Sequence, residues 1–142
     1  MDTTQAEIRA LFERQSEAMR AKDLDGLMSF YSPDVVYFDI VPPLQFVGSE
    51  ALRARFSRWF DGFDGPMGVD SSELTVSVGG DIAVVHWFSR VRGTLKNGRE
   101  VGTWVRATSC WQRSDQEWLV MHEHISCPVD LASGKAVTDL QP

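Results

Sequence analysis

The chain carries only two cysteines, Cys110 and Cys127, and they do not form a CxxC pair. A disulfide framework is therefore not expected, and a reducing cytoplasm is the default compartment. No window approaches the ~20 apolar residues that a membrane helix requires. Residues 1–12 hold neither a basic stretch nor a long apolar run, so no signal peptide is expected. Basic residues are scattered through a chain of formal charge −6. Nucleic acid and anionic membranes are accordingly poor partners. There is no glycine-rich phosphate loop and no GxSxG elbow, so nucleotide cofactors and serine hydrolysis are not expected, and no cofactor is called for. Only three histidines occur, and no spacing among them matches a zinc signature. No metal site is expected.

What the chain has is apolar and aromatic mass. Hydrophobic residues make up 43% of 142 positions, with five Trp, eight Phe and two Tyr. That length suits one domain over residues 1–142 that buries one core, together with a pocket. The well-patterned part is about residues 5–127, and the polar tail 128–142 is expected to be loosely held.

Periodicity orders the elements. Residues 3–21 read as a helix, with Ile8, Leu11, Phe12, Gln15, Ala18 and Met19 on one face. Thr3 or Thr4 can cap it, and Glu7 stands at capping-box distance from Thr4. A short helix follows, capped by Asp23, with Leu24, Leu27, Met28 and Tyr31 on its apolar side. Ser32-Pro33-Asp34 stops it. Residues 35–41 read as a strand that ends at Pro42-Pro43. Ser49 caps a third helix, roughly 50–61, with Leu52, Phe56, Trp59 and Phe60 on one face. The glycine-rich stretch 61–68 reads as a loop. Four β segments then follow at about 70–78, 81–93, 100–113 and 117–127, and Asn97-Gly98 marks a hairpin. Helices gathered ahead of strands predict an α+β fold, with the helices packed on one face of a curved sheet.

This order resembles the nuclear transport factor 2-like superfamily, which includes the ketosteroid isomerases and the SnoaL-like polyketide cyclases. The likeness rests on four segments: Ala21 to Leu27, Tyr31 to Tyr37 followed by Asp39, Phe46 to Leu52, and Trp118 to Ser126. The resemblance implies a cone-shaped α+β barrel, three N-terminal helices on a curved mixed or antiparallel sheet. It also implies an apolar pocket for a small hydrophobic molecule and a homodimer formed through the outer sheet face. The fold hosts many reactions, non-catalytic kinase-association domains among them.

Asp39 aligns with the catalytic aspartate of the ketosteroid isomerases, a base that shuttles a proton beside a carbonyl; the alternative is a turn cap before Pro42. That reaction also needs donors at the carbonyl oxygen. The family's first-helix tyrosine is replaced here by Gln15, and its acid position falls near Thr108, so steroid isomerisation by that route is not supported. Gln15 either faces the pocket or satisfies backbone. Trp104, Arg106, Thr108 and Cys110 share one strand face. Arg106 can bind a carboxylate or pair with Asp39 if that face is inward; otherwise it lies outside. In the last strand His122 and His124 point opposite to Glu123. The isomerase-like alignment puts Met121, Glu123 and Ile125 inward. The reverse parity makes a histidine the acid–base group. Tyr31, Tyr37, Phe56, Trp59, Trp87 and Trp104 are candidate walls for a flat apolar ligand. The leading expectation is cofactor-free isomerisation, cyclisation or dehydration of a carbonyl compound. The rival is a ligand-binding or oligomerisation module.

Overall fold

The computed structural model describes residues 2–142. It opens with α1 (Thr3–Arg20), α2 (Leu24–Met28), β1 (Tyr31–Phe38), β2 (Phe46–Val47) and α3 (Ser49–Asp61). The long strands β3 (Phe63–Gly79), β4 (Ile82–Leu95), β6 (Trp104–Ser114) and β7 (Glu117–Ser126) follow, with short β5 (Glu100–Val101) between β4 and β6. The chain ends in an exposed hairpin of β8 (Val129–Asp130) and β9 (Lys135–Ala136). No helix among the described residues is long and apolar enough to cross a membrane.

The main sheet runs β2-β1-β7-β6-β4-β3, with β5 added on β4. It is mixed, because β1 lies parallel to β7 while the other pairs are antiparallel. The fold is the expected cone-shaped α+β arrangement, but the sheet is not closed into a barrel. β2 and β3 remain its two ends, and the helices cover the concave side.

Periodicity explains most of the elements. On α1 the buried face is Ile8, Phe12, Gln15 and Ser16, and on α3 it is Leu52, Phe56 and Phe60. The apolar ones among these pack with inward residues of β4, β6 and β7 (Ala83, Val85, Trp111, Trp118 and Val120) into one continuous core. Each large side chain fully buried there contributes roughly 1.5–3 kcal/mol of transfer free energy.

Local chemistry departs from expectation in several places. Asp2, not Thr3 or Thr4, caps α1, and its capping-box partner is Gln5. α3 begins at Gly48 without a side-chain cap, on a backbone with φ 88° that favours glycine. Tyr31 starts β1 rather than ending α2, and the strand's register shifts between Tyr31 and Val36, where Pro33 cannot donate a ladder bond. β1 stops at Phe38, short of the predicted end at 41. The stretch 61–68 is not a loop: from Phe63 onward it is the start of β3, paired with the end of β4 across an irregularity between Asp64 and Gly68. Gly93 makes this possible, because a Cβ there would lie 2.7 Å from the Phe63 ring. Phe63 therefore packs against Gly93 of β4 and lines the cavity of the concave face.

Candidate functional site

The concave face holds a cavity of about 390 Å³, within the range of small-molecule sites. Its walls are mainly apolar, with Phe56 and Trp59 from α3, Phe63 from β3, Trp87 from β4, Val105 from β6 and Ile125 from β7. Aromatic contacts hold these walls in place. Trp59 stacks on Phe60 at 5.7 Å between ring centroids and meets Phe63 edge-on at 6.1 Å. Phe56 packs against both Tyr31 and Tyr37 at 5.7 Å. Such geometry fixes ring planes as well as burying area.

Three charged side chains line this cavity. Asp39 follows the end of β1, and its side chain is only 8% exposed. Its Oδ2 accepts a bond from Arg55 Nε at 2.9 Å, and its Oδ1 accepts one from the Ile40 amide at 2.7 Å. Arg55 comes from α3, where it stands three residues after Leu52 and four before Trp59, on the edge of the apolar face. Its side chain is 17% exposed. The ion pair thus uses one guanidinium nitrogen, and the planar fork keeps further donors for another acceptor.

The third is Glu123, 5% exposed, on the inward face of β7. Its carboxylate accepts from the Tyr31 hydroxyl, at 3.3 Å to Oε1 and 3.4 Å to Oε2. Burial pushes this carboxyl from an ordinary 4.5 up to about 7; the charge of Asp39 adds to the rise, while the hydroxyls of Tyr37 and Tyr31 oppose it. Desolvation disfavours the charged form, and the tyrosines offer it too few donors to compensate. Both tyrosines are in turn held well above their normal range, chiefly by burial and then by the nearby glutamate. They remain neutral donors. The result is a carboxyl that can both take and give a proton near neutral pH, inside an apolar cavity.

A second, smaller cavity of about 30 Å³ adjoins the first and is also lined by Glu123. Gln15 and Tyr31 line it, and Met19, Trp87, Ser89 and Glu123 border both spaces.

Asp39, Tyr37, Phe56, Trp59, Trp87, Glu123 and Ile125 therefore meet around the main cavity, and Gln15 and Tyr31 around the inner one. Six expected residues do not reach either space. On β6 the inward positions belong to Val105, Ala107 and Ser109, so Trp104, Arg106 and Thr108 face outward. Arg106 is exposed and bonds Ser126 Oγ at 3.1 Å, which removes it as the oxygen-polarising group. Trp104 carries Arg90 over its ring at 4.9 Å and is not a ligand wall. Thr108 is flanked by His86 and His124 on neighbouring strands. His122 and His124 occupy the outer face too. Nδ1 of His122 lies 2.7 Å from the Val36 carbonyl, and the Phe38 ring meets both imidazoles edge-on. Neither histidine can be the acid–base group of this cavity. Met121 does not line it either. Trp111 pairs with Val120 and Cys110 with His122, so Met121 is the extra residue of a β-bulge. Before that bulge the even positions Trp118 and Val120 are buried, and after it the odd positions Glu123 and Ile125 turn inward.

Arg55 escaped the sequence reading, although its spacing to Leu52 and Trp59 was a usable signal. Phe63 and Ser89 were also missed, the first because its segment read as a loop.

A family model described as "SnoaL-like domain" matches residues 8–130. No curated protein matches the chain. Among solved structures, a nuclear transport factor 2-like protein of unknown function from Pseudomonas putida is 36% identical. The alignment covers 100% of this chain and 99% of that one, with a TM-score of 0.90. A candidate dehydratase of the same family from Streptomyces avermitilis is 19% identical, over 91% of this chain and 100% of that one, with a TM-score of 0.78. A candidate calcium/calmodulin-dependent protein kinase II association domain from Xanthomonas campestris is 23% identical over 84% of each chain, with a TM-score of 0.74. The last two likenesses concern the fold alone.

Proposed function

The chain belongs to the SnoaL-like domain family of the nuclear transport factor 2-like superfamily, and from that premise we propose that its cavity binds a small hydrophobic carbonyl compound and moves a proton on it without a cofactor. The observation that carries this reading is the Glu123 carboxyl, pushed to about 7 inside a mostly apolar space. At neutral pH a substantial fraction is ionised and can remove a proton beside a carbonyl, and the acid so formed can return that proton at another atom. The electron pair left behind moves onto the carbonyl oxygen. Arg55 is the donor on the cavity wall suited to hold that oxygen, in the role first given to Arg106. Asp39 then orients Arg55 and balances its charge rather than acting as the base, since both its oxygens are already engaged.

The same engagement of Asp39 favours the rival reading, a site that binds without turning over. One set of experiments separates the two. Small cyclic and aromatic ketones that fill the cavity should raise the melting temperature by mass action, and Val105→Trp, which fills the space, should abolish the effect. With a turned-over compound, Glu123→Gln should lower kcat by about 10²- to 10⁴-fold, the usual contribution of a general acid–base group. Binding that survives with no turnover in either protein would favour the rival. We also propose a homodimer through the outer sheet face, where Phe38, Trp104 and Cys110 are only half-buried.

A further inference from the structure

The smaller cavity shares Glu123 with the main one and reaches parts of α1, β1 and β3 that the main one does not. At about 30 Å³ it suits one or two waters and no organic ligand. Six polar side chains reach it, Gln15 and Ser16 from α1, Tyr31 from β1, Ser71 from β3, Ser89 from β4 and Glu123 from β7, between the apolar Phe12, Met19, Val69 and Trp87. Gln15 is 5% exposed and Ser16 6%. Ser16 already gives its hydroxyl proton to the Phe12 carbonyl, at 3.2 Å. The Gln15 amide lies beside the Tyr31 hydroxyl. That contact uses one of an amide's four hydrogen-bonding positions, and the others need partners at such depth. Gln15 and Ser16 are the polar members of a buried α1 face whose other members are Ile8 and Phe12. The far side is Ser71, an exposed residue on the edge strand β3. The chamber therefore spans from the α1 and β3 residues Ser16 and Ser71 to Glu123.

We propose that this chamber holds ordered water that carries protons between Glu123 and solvent behind a ligand occupying the main cavity. A carboxyl sealed by an apolar ligand would otherwise keep whatever proton it holds after each cycle. Water hydrogen-bonded to Gln15, Ser89 and the carboxyl lets that proton leave through the Ser71 end while the front is closed. The ring of donors and acceptors meets the requirement of two to four polar partners for a buried water. The proposal rests on the reading of Glu123 as the cavity's titrating group, but not on any particular substrate.

The test is a titration of the Glu123 carboxyl by carbon NMR, in protein labelled at glutamate, assigned by its loss in Glu123→Gln. Ser89→Val replaces a hydroxyl at the junction of the two cavities by two methyl groups. It should strip water from the back of the carboxyl and raise its proton affinity roughly 3- to 10-fold, since desolvation disfavours the charged form. Ser71→Val, at the outer end, should leave the midpoint within about 2-fold but slow deuterium uptake by the carboxyl when a cavity-filling ketone is bound. A wild-type midpoint unchanged by Ser89→Val, or uptake unaffected by Ser71→Val, would overturn the relay. If Ser89→Val fails to fold, a high-resolution crystal structure of the wild-type chain decides. Density within hydrogen-bond distance of Gln15, Ser89 and Glu123 supports the proposal, and a dry chamber ends it. Turnover that survives Glu123→Gln while the midpoint responds to Ser89→Val would remove the catalytic reading and leave the water chamber standing.

Discussion

Replacing Glu123 with glutamine should make the protein more stable in alkaline buffer and leave it nearly unchanged in acid. Gln keeps an oxygen that can accept from Tyr31 and matches the shape of the protonated acid. The folded chain raises this carboxyl from 4.5 to about 7, so it holds the proton more tightly than the unfolded chain does. The protonated form is therefore the stable one. The share of wild-type stability that this carboxyl supplies should be complete below pH about 4.5, fall as pH climbs towards about 7, and level off above that. At about 1.4 kcal/mol for each tenfold change in proton affinity, the loss is about 3 kcal/mol. For a chain of this length that is roughly 6–12 °C in melting temperature. The assay is urea denaturation of both proteins from pH 4.5 to 8.5, read as the difference between them, so that every other titrating group cancels. The gap should open in favour of the variant between pH 5 and 7.5. A gap that stays constant would mean that Glu123 is ionised throughout, and the chemistry assigned to it would fail.

Other outcomes follow from the same contacts. Arg55→Ala strands the Asp39 charge at 8% exposure and should cost about 1–3 kcal/mol, part of which Asp39→Asn in the same chain restores; equal stability of the single and double variants in urea would contradict the pairing. Ser109→Ala leaves the buried Trp111 indole N–H without its partner at 2.9 Å and should cost about 1–3 kcal/mol by the same measurement. Light scattering on the eluting protein should give a dimer at micromolar concentration. Thr108→Arg, which puts a cation between His86 and His124 on the outer face, should give a monomer. A monomeric wild type would remove the dimer.

The helices and most strands were legible because burial on one face imposes a period on the sequence. Ile8, Leu11 and Phe12 on α1 show it, as do Leu52, Phe56 and Phe60 on α3. The start of β3 was not legible. Gly62, Gly65, Pro66 and Gly68 carry little strand propensity, and only pairing with β4 makes that segment extended. The inward direction of β7 was legible at Glu123 and Ile125 through the resemblance, but strict alternation misplaced Met121 because a bulge inserts one residue. The face of β6 could not be read locally. Trp104-Val105-Arg106-Ala107 alternates large polar-tipped with small apolar residues, and the sheet's curvature gives the small ones the inside. Of the site, Asp39 was found and its partner was not, since a helical arginine one step off an apolar stripe looks like an ordinary solvated residue. Gln15 stood out as a lone polar group on such a stripe, and its surroundings only became clear with Tyr31 and Ser89 in place.

The most direct test of the central claim needs no knowledge of the natural substrate. Ketones that bind the cavity are incubated with the protein in deuterated water, and the hydrogens beside the carbonyl are followed by proton NMR. Wild-type protein should exchange them for deuterium faster than buffer does, with a pH dependence centred near 7, and Glu123→Gln should fall to the background rate. Exchange at the same rate in both proteins, or no acceleration with any ketone that demonstrably binds, would contradict the account.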